Sequence, residues 1–203
     1  MAHKPRSEMI AETRARLVAA ARKAFGTVGY ADASMDDFTA EAGLTRGALY
    51  HHFGGKKGLL EAVIAEIDAE MSERLREITA GAETPWRGFV EECIGYVRMA
   101  LDPEIQRIML RDGPAVLGDP TTWPNQSACI ASLSTNLRGL RDAGTIVDLD
   151  PDAMAHLING ASLNASLWIA NAPDPEETSR RAVDAFRTLL EGLLADNAKA
   201  NGC

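Results

Sequence analysis

The residues best suited to chemistry lie together in Thr45-Arg46-Gly47-Ala48-Leu49-Tyr50-His51-His52-Phe53, with Lys56 just beyond. At helical spacing Thr45, Arg46, Gly47, Tyr50 and His51 lie near the outer face of a short helix. Leu49 and Phe53, with Phe38 and Leu44 before them, turn inward. Free N–H groups at a helix start, together with the Thr45 hydroxyl, suit a phosphate oxygen. Arg46 carries a fork of donors that matches one guanine edge. Gly47 lets backbone approach a duplex, Tyr50 and His51 can reach phosphates or thymine methyls, and Lys56 adds positive charge past the turn. A helix of this width fits the major groove, its N-terminal residues entering first. The chemistry is that of holding double-stranded DNA. His51-His52 is not read as a metal site, because neighbours on a helix point about 100° apart and no third ligand is evident.

Such a helix must be held by others. Leu17, Ala21, Ala24, Phe25 and Val28 recur on one face of a first helix from about Ser7 to Val28, which Gly29 ends. Arg14, Arg16, Arg22 and Lys23 cover the rest of it, read mainly as a solvated face, with Arg14 and Lys23 as secondary phosphate candidates. Ser34 caps a short second helix, with Asp37 as an acidic variant of the capping box. Ala42-Gly43-Leu44 is the hinge into the helix that Thr45 caps. Gly54-Gly55 then breaks the chain before a long amphipathic helix, about Lys56 to Ala80.

Beyond it the pattern stays helical: from Thr84-Pro85 to about Leu101, from Asp102-Pro103 onward, about Asn125 to Ala143, Asp150-Pro151 to about Ala170, and Pro173-Asp174-Pro175 to about Asn197. Asp112 to Pro124 holds three Pro and two Gly, which predicts a loop with at most a partial turn. No run alternates with the period of a strand. Trp86, Phe89, Cys93, Tyr96, Met99, Met109, Trp123, Asn164 and Trp168 are the candidate lining of a pocket, most of them also serving as core. Asn159 and Asn164 interrupt an apolar helix, and a buried amide needs a partner. Met154, Leu157, Ala161, Ala165 and Trp168 on one helix, with Phe186, Leu189, Leu190, Leu193 and Leu194 on the next, give more apolar stripe than one small subunit normally needs.

The 203 residues carry a formal charge of -8, but unevenly. Residues 1–60 hold nine Lys/Arg against six Asp/Glu, and residues 61–203 hold twelve against twenty-three. A basic head on an acidic body implies two surfaces with different partners. At 46% hydrophobic the chain is far from disordered composition, yet no apolar run approaches the ~18 residues of a membrane span. The first residues lack the apolar stretch of a signal peptide, so a cytoplasmic location without membrane contact is expected. Cys93, Cys129 and Cys203 are too few and too far apart for a disulfide framework or zinc site and read as reduced thiols.

Ala20-Ala21-x-x-x-Phe25, Gly29-Tyr30 and above all Ala42-Gly43-Leu44-Thr45-Arg46-Gly47-Ala48-Leu49-Tyr50-His51-His52-Phe53-x-x-Lys56-x-x-Leu59 resemble the N-terminal module of the TetR family of bacterial transcriptional regulators. Asp112-Gly113-Pro114-Ala115-Val116-Leu117-Gly118 is similar to a segment seen in many members. Departures are Ala33 for a common Thr, Thr39 for a small Ala, Gly55 for a polar cap and Lys57 for an acid. The resemblance implies a homodimer that places two such helices on a palindromic operator. It also implies a C-terminal domain whose small-molecule ligand releases DNA.

The expected fold is all-α, about nine helices. An N-terminal three-helix helix-turn-helix module, residues 1–55, precedes a larger helical ligand-binding and dimerisation domain, residues 56–203. DNA contacts are expected from Thr45, Arg46, Gly47, Tyr50, His51 and Lys56. Ligand contacts are expected from Trp86, Phe89, Cys93, Tyr96, Met109, Asn164 and Trp168, with a hydrophobic organic molecule as the ligand. The dimer interface is expected at Met154, Leu157, Ala161, Phe186, Leu189, Leu190 and Leu193. No cofactor, metal or catalytic residue is expected. The rival reading is a helical small-molecule-binding protein or enzyme with an incidental basic module. Against it, the chain offers no nucleophile–base pair, paired catalytic carboxylates or phosphate loop at recognised spacing.

Overall fold

A computed structural model describes residues 5–196 and is helical throughout, with no strand among the described residues beyond one isolated bridge. Cys203 and the expected helix end at Asn197 lie outside the described residues. The contacts divide the chain into two compact units. The first joins the chain up to Ile67 with Pro103–Gly118; the second joins Asp68–Asp102 with the chain from Asp119 onward. The expected split at residue 55 follows chain order, whereas these units cut across it.

In the first unit α1 (Arg6–Val28) buries Leu17, Val18, Ala20, Ala21 and Phe25. α2 (Met35–Glu41) starts where the Ser34 hydroxyl accepts the Asp37 N–H at 3.4 Å. α3 (Arg46–Phe53) starts where the Thr45 hydroxyl accepts the Ala48 N–H at 3.2 Å. Between α2 and α3 Gly43 takes φ +64°, a left-handed conformation that glycine reaches at no steric cost. Phe25 meets the edge of Phe38 at 6.0 Å, and Leu49, Leu59, Leu60 and Val63 are fully buried. The last three belong to the first half of α4 (Lys56–Ala80).

Pro103–Gly118 completes this unit. It consists of α6 (Pro103–Ile105), a π-helical stretch (Gln106–Asp112) and α7 (Gly113–Leu117). The loop expected from Asp112 is therefore helical as far as Leu117. Pro114 sits in the first turn of α7, where a missing N–H costs nothing, and Gly118 at φ +87° ends the helix. Only Pro120–Thr122 adds a further turn before Pro124. Three contacts fasten the segment: Asp112 accepts the Tyr30 N–H at 2.7 Å, Arg22 forks onto Glu104 at 2.7 and 2.9 Å, and Arg107 donates to the Thr27 carbonyl at 3.2 Å.

The second unit holds the rest of α4 with α5 (Pro85–Met99), α8 (Gln126–Asp142), α9 (Pro151–Asn171) and α10 (Pro175–Glu191). Thr84, Asp150 and Asp174 cap α5, α9 and α10 as their sequence signals predict. α9 packs on α8, α5 and α10, and α10 also packs on α5. The expected extension of α10 toward Asn197 does not form. Gly192 closes the helix, and the chain then pairs with 145–147: Val147 donates to the Leu193 carbonyl at 2.8 Å and Ala195 to that of Thr145 at 3.1 Å. This turns Ile146 and Leu194 into the core.

Candidate nucleic-acid interface and ligand cavity

α3 is amphipathic over only eight residues, so its burial is settled by few side chains. Leu49 is fully buried, while Leu44 and Phe53 are half-buried. Thr45, Arg46, Gly47, Tyr50 and His51 all stand exposed, and Tyr50 keeps 53% of its surface open. Five of the six expected DNA contacts thus share one accessible face. Arg46 does not project freely. It lays its fork on Asp36 of α2, Nη2 donating to Oδ2 at 2.6 Å and Nε to Oδ1.

Lys56 differs from its sequence expectation. It is half-buried, its Nζ lies 4.5 Å above the Tyr30 ring and it donates to the Ala31 carbonyl at 3.3 Å. Burial pushes its pKa down, against the pull of Asp32 and Asp112 in the other direction. The cation is therefore part of the packing that anchors α4 as well as a charge beside α3.

Arg14 and Arg16 set the pose of the two short helices. Arg14 donates to the His52 carbonyl at 2.7 Å and stacks 4.4 Å above Phe53, satisfying the C-terminal end of α3. Arg16 donates to the Ala42 carbonyl in the hinge. Lys23 pairs with Glu41 at 2.6 Å. Sequence reasoning treated this face as mainly solvated, because nothing local to α1 reveals where α3 ends in space. His52 packs edge-on to His51, and burial first, then its neighbours His51 and Arg14, push its pKa down. Thr39 is buried, its hydroxyl donating to the Met35 carbonyl at 2.7 Å, so the larger residue is absorbed within α2.

The second unit holds a partly open cavity of about 280 Å³. α4 gives Asp68, Ser72, Leu75 and Arg76; α5 gives Glu92, Cys93 and Tyr96; α8 and the residue before it give Asn125, Gln126 and Cys129; α9 gives Asn159 and Ser162. Of the expected ligand contacts, Cys93 and Tyr96 line this space. Trp86 and Phe89 do not: they are buried among core residues, with rings 6.0 Å apart. Met109 is buried in the other unit. Asn164 and Trp168 face outward, Trp168 beneath the Arg181 guanidinium at 5.7 Å. Asn159 is the amide that does reach the cavity, donating to Gln126 Oε1 at 2.9 Å.

Sequence reasoning passed over Asp68 and Glu92. The signal was present: Asp68 continues the Ile64-to-Ser72 row at four-residue spacing, and Glu92 precedes Tyr96 by four on the buried side of α5. Asp68 accepts from Asn125 Nδ2 at 2.7 Å and Glu92 from the Thr79 hydroxyl at 3.2 Å. Burial pushes both carboxyls up, these hydrogen bonds only partly offsetting it.

α9 and α10 carry an exposed apolar stripe: Leu157 is 67% open and Leu189 66%. Met154, Ala161 and Leu193 are half-buried beside them. Phe186 and Leu190 are not on this surface. Both are buried within the subunit, because α10 turns that face toward α5 and α9.

A capped, exposed helix set across a glycine hinge from a second short helix, in an all-helical chain with a cavity in its helical body, defines a helix-turn-helix regulator. Residues 17–63 match the tetR family of bacterial regulatory proteins, and residues 86–193 match the tetracyclin repressor-like C-terminal domain. The protein belongs to the TetR family of transcriptional regulators. A TetR-family transcriptional regulator of Pectobacterium atrosepticum is 50% identical, with 95% of this chain and 99% of that one covered and a TM-score of 0.87. A gamma-butyrolactone receptor is 25% identical, covering 95% and 94% with a TM-score of 0.60. The HTH-type transcriptional regulator SrpR of Pseudomonas putida is 32% identical over 106 residues, 50% of this chain and 47% of that protein. The chain thus spans about half the length of that curated relative. Among the described residues no helix is long and apolar enough to cross a membrane.

Proposed function

We propose that this regulator is a repressor, a homodimer that sits on a palindromic operator in the cytoplasm and leaves it when a small molecule fills the cavity. It makes no chemical change in any substrate. The observation that carries the reading is the single exposed face of α3, where Thr45, Arg46, Gly47, Tyr50 and His51 stand together. Thr45 and the helix start hold a phosphate, Arg46 reads a guanine, and Tyr50 and His51 complete the contact with backbone or thymine. Lys56 contributes charge from the edge.

Leu157 and Leu189, with Ala161 and Met154 alongside, form the contact between subunits. Around a two-fold axis the same patch meets itself, so two helices from each copy suffice to cover it. Ligand and operator favour different arrangements of the dimer, and each weakens the other by the same factor, about 5–150-fold for typical coupling.

The test is binding of the full chain to the DNA upstream of its own gene, against random DNA and across salt. Sequence-specific binding that falls steeply with salt is expected, since each neutralised phosphate releases counterions. Arg46→Ala should bind operator and random DNA more nearly alike. Unchanged discrimination in that variant, or no salt-sensitive complex at all, would remove α3 from the account and favour a plain small-molecule-binding protein.

A further inference from the structure

The cavity has a chemical character that its apolar residues alone do not predict. Asp68 and Glu92 both open onto it, and neither pairs with a Lys, Arg or His among the described residues. The arginine in the wall, Arg76, is held by Glu73 instead. Tyr96 supplies a second, independent observation. Its side chain lies within the packed interior, which pushes its pKa up, and it lines the cavity. Its hydroxyl has no hydrogen-bond partner among the described residues. Two partly desolvated carboxylates and an unpartnered phenol around a partly open, largely apolar space lack a matching cation or donor.

We infer that this cavity takes a compact organic cation, a protonated amine on a small apolar body, with Asp68 and Glu92 as its counter-charges. The inference rests on the reading of the cavity as the effector site. The ammonium donates to the free oxygens of the two carboxylates, and the Tyr96 ring offers its face to the positive end. Leu75, Leu133 and Ala128 receive the apolar body. A volume of about 280 Å³ suits a one-ring molecule and lies just below the usual range for larger effectors. An anion would have to approach two carboxylates at close range.

The test is calorimetric titration of the full chain, without DNA, using benzylamine, benzyl alcohol and benzoate as probes of equal shape. Benzylamine should bind about 10–100-fold more tightly than benzyl alcohol, the span of a charge-assisted hydrogen bond, and benzoate more weakly still. Asp68→Asn and Glu92→Gln should each erase most of that preference, with an unchanged circular dichroism spectrum controlling for misfolding. Benzylamine affinity should also fall as pH is lowered toward the carboxylate range, because protonation removes the counter-charge. Besides Arg76, which pairs with Glu73, the other ionisable groups facing the space are Cys93 and Tyr96 on α5 and Cys129 on α8, all pushed up by burial and neutral throughout. Equal binding of amine and alcohol, a preference for benzoate, or no amine binding up to millimolar concentration would each overturn the inference. Operator binding is read separately, so a DNA-bound protein that ignores amines sinks this inference alone. A protein that binds amines but no DNA sinks the proposed function instead.

Discussion

Arg46 and Asp36 form a forked ion pair on an open surface, with side chains 53% and 66% exposed. Such pairs contribute only about 0–1 kcal/mol, so a guanine edge would displace the carboxylate at little cost. Asp36 aims the guanidinium in the free protein and adds repulsion toward phosphate. Asp36→Ala should therefore strengthen binding to random DNA more than to operator, narrowing the ratio between them in a fluorescence anisotropy titration. Lys56→Ala should act twice: it should reduce the salt slope by about one, and it should lower the melting temperature because a packed side chain is lost from Tyr30. A purely superficial lysine would give the first effect without the second. The exposed face of α3 was legible in the sequence, since helical spacing alone separates Tyr50 from Leu49. The Asp36 and Tyr30 contacts were not, because they join residues 10 and 26 positions apart through tertiary packing.

At the scale of elements, the hinge between α2 and α3 depends on Gly43. A methyl group there would meet Arg16 Nη2 at 2.8 Å while the backbone stays at φ +64°. Gly43→Ala should cost about 1–2 kcal/mol and lower the melting temperature by a few degrees, with the loss of operator affinity larger than the loss of helix content. The cavity between α4, α5, α8 and α9 makes an opposite prediction. Asp68 and Glu92 have folded-state pKa values above their ordinary ones. Each is thus a burden on stability at neutral pH that fades as pH falls through the raised value. Glu92→Gln should raise the melting temperature of the ligand-free protein at pH 7, and the gain should shrink in acid. The caps at Ser34, Thr45, Thr84, Asp150 and Asp174 could be read directly, each being a local bond between neighbours in sequence. The end of α10 could not, because it is decided by pairing with residues some fifty positions away.

At the scale of the whole molecule, the charge is divided between a basic N-terminal stretch and an acidic remainder. Electrostatic attraction to DNA is thereby confined to one part of the surface. The exposed leucines argue for self-association on the other. Leu157→Glu combined with Leu189→Glu should give monomers in analytical ultracentrifugation, because in the proposed dimer each new charge would face its own copy across the two-fold. Operator affinity should fall with it while the secondary structure persists. The apolar excess of the last two helices was visible in the sequence, but its division was not. Phe186 and Leu190 follow the same helical period as Leu189, and only the packing of α10 shows which of them the subunit consumes.

Asp112 and Glu104 reach back to Tyr30 and Arg22 across more than eighty positions of chain. Grafting experiments inherit that fact. A chimera that borrows only the first sixty residues would carry a reading head stripped of its own keel, with Ile105, Ile108 and Leu110 missing from beneath it. A faithful transplant has to move two pieces of polypeptide, and the recipient's hinge has to return the second one to the same berth.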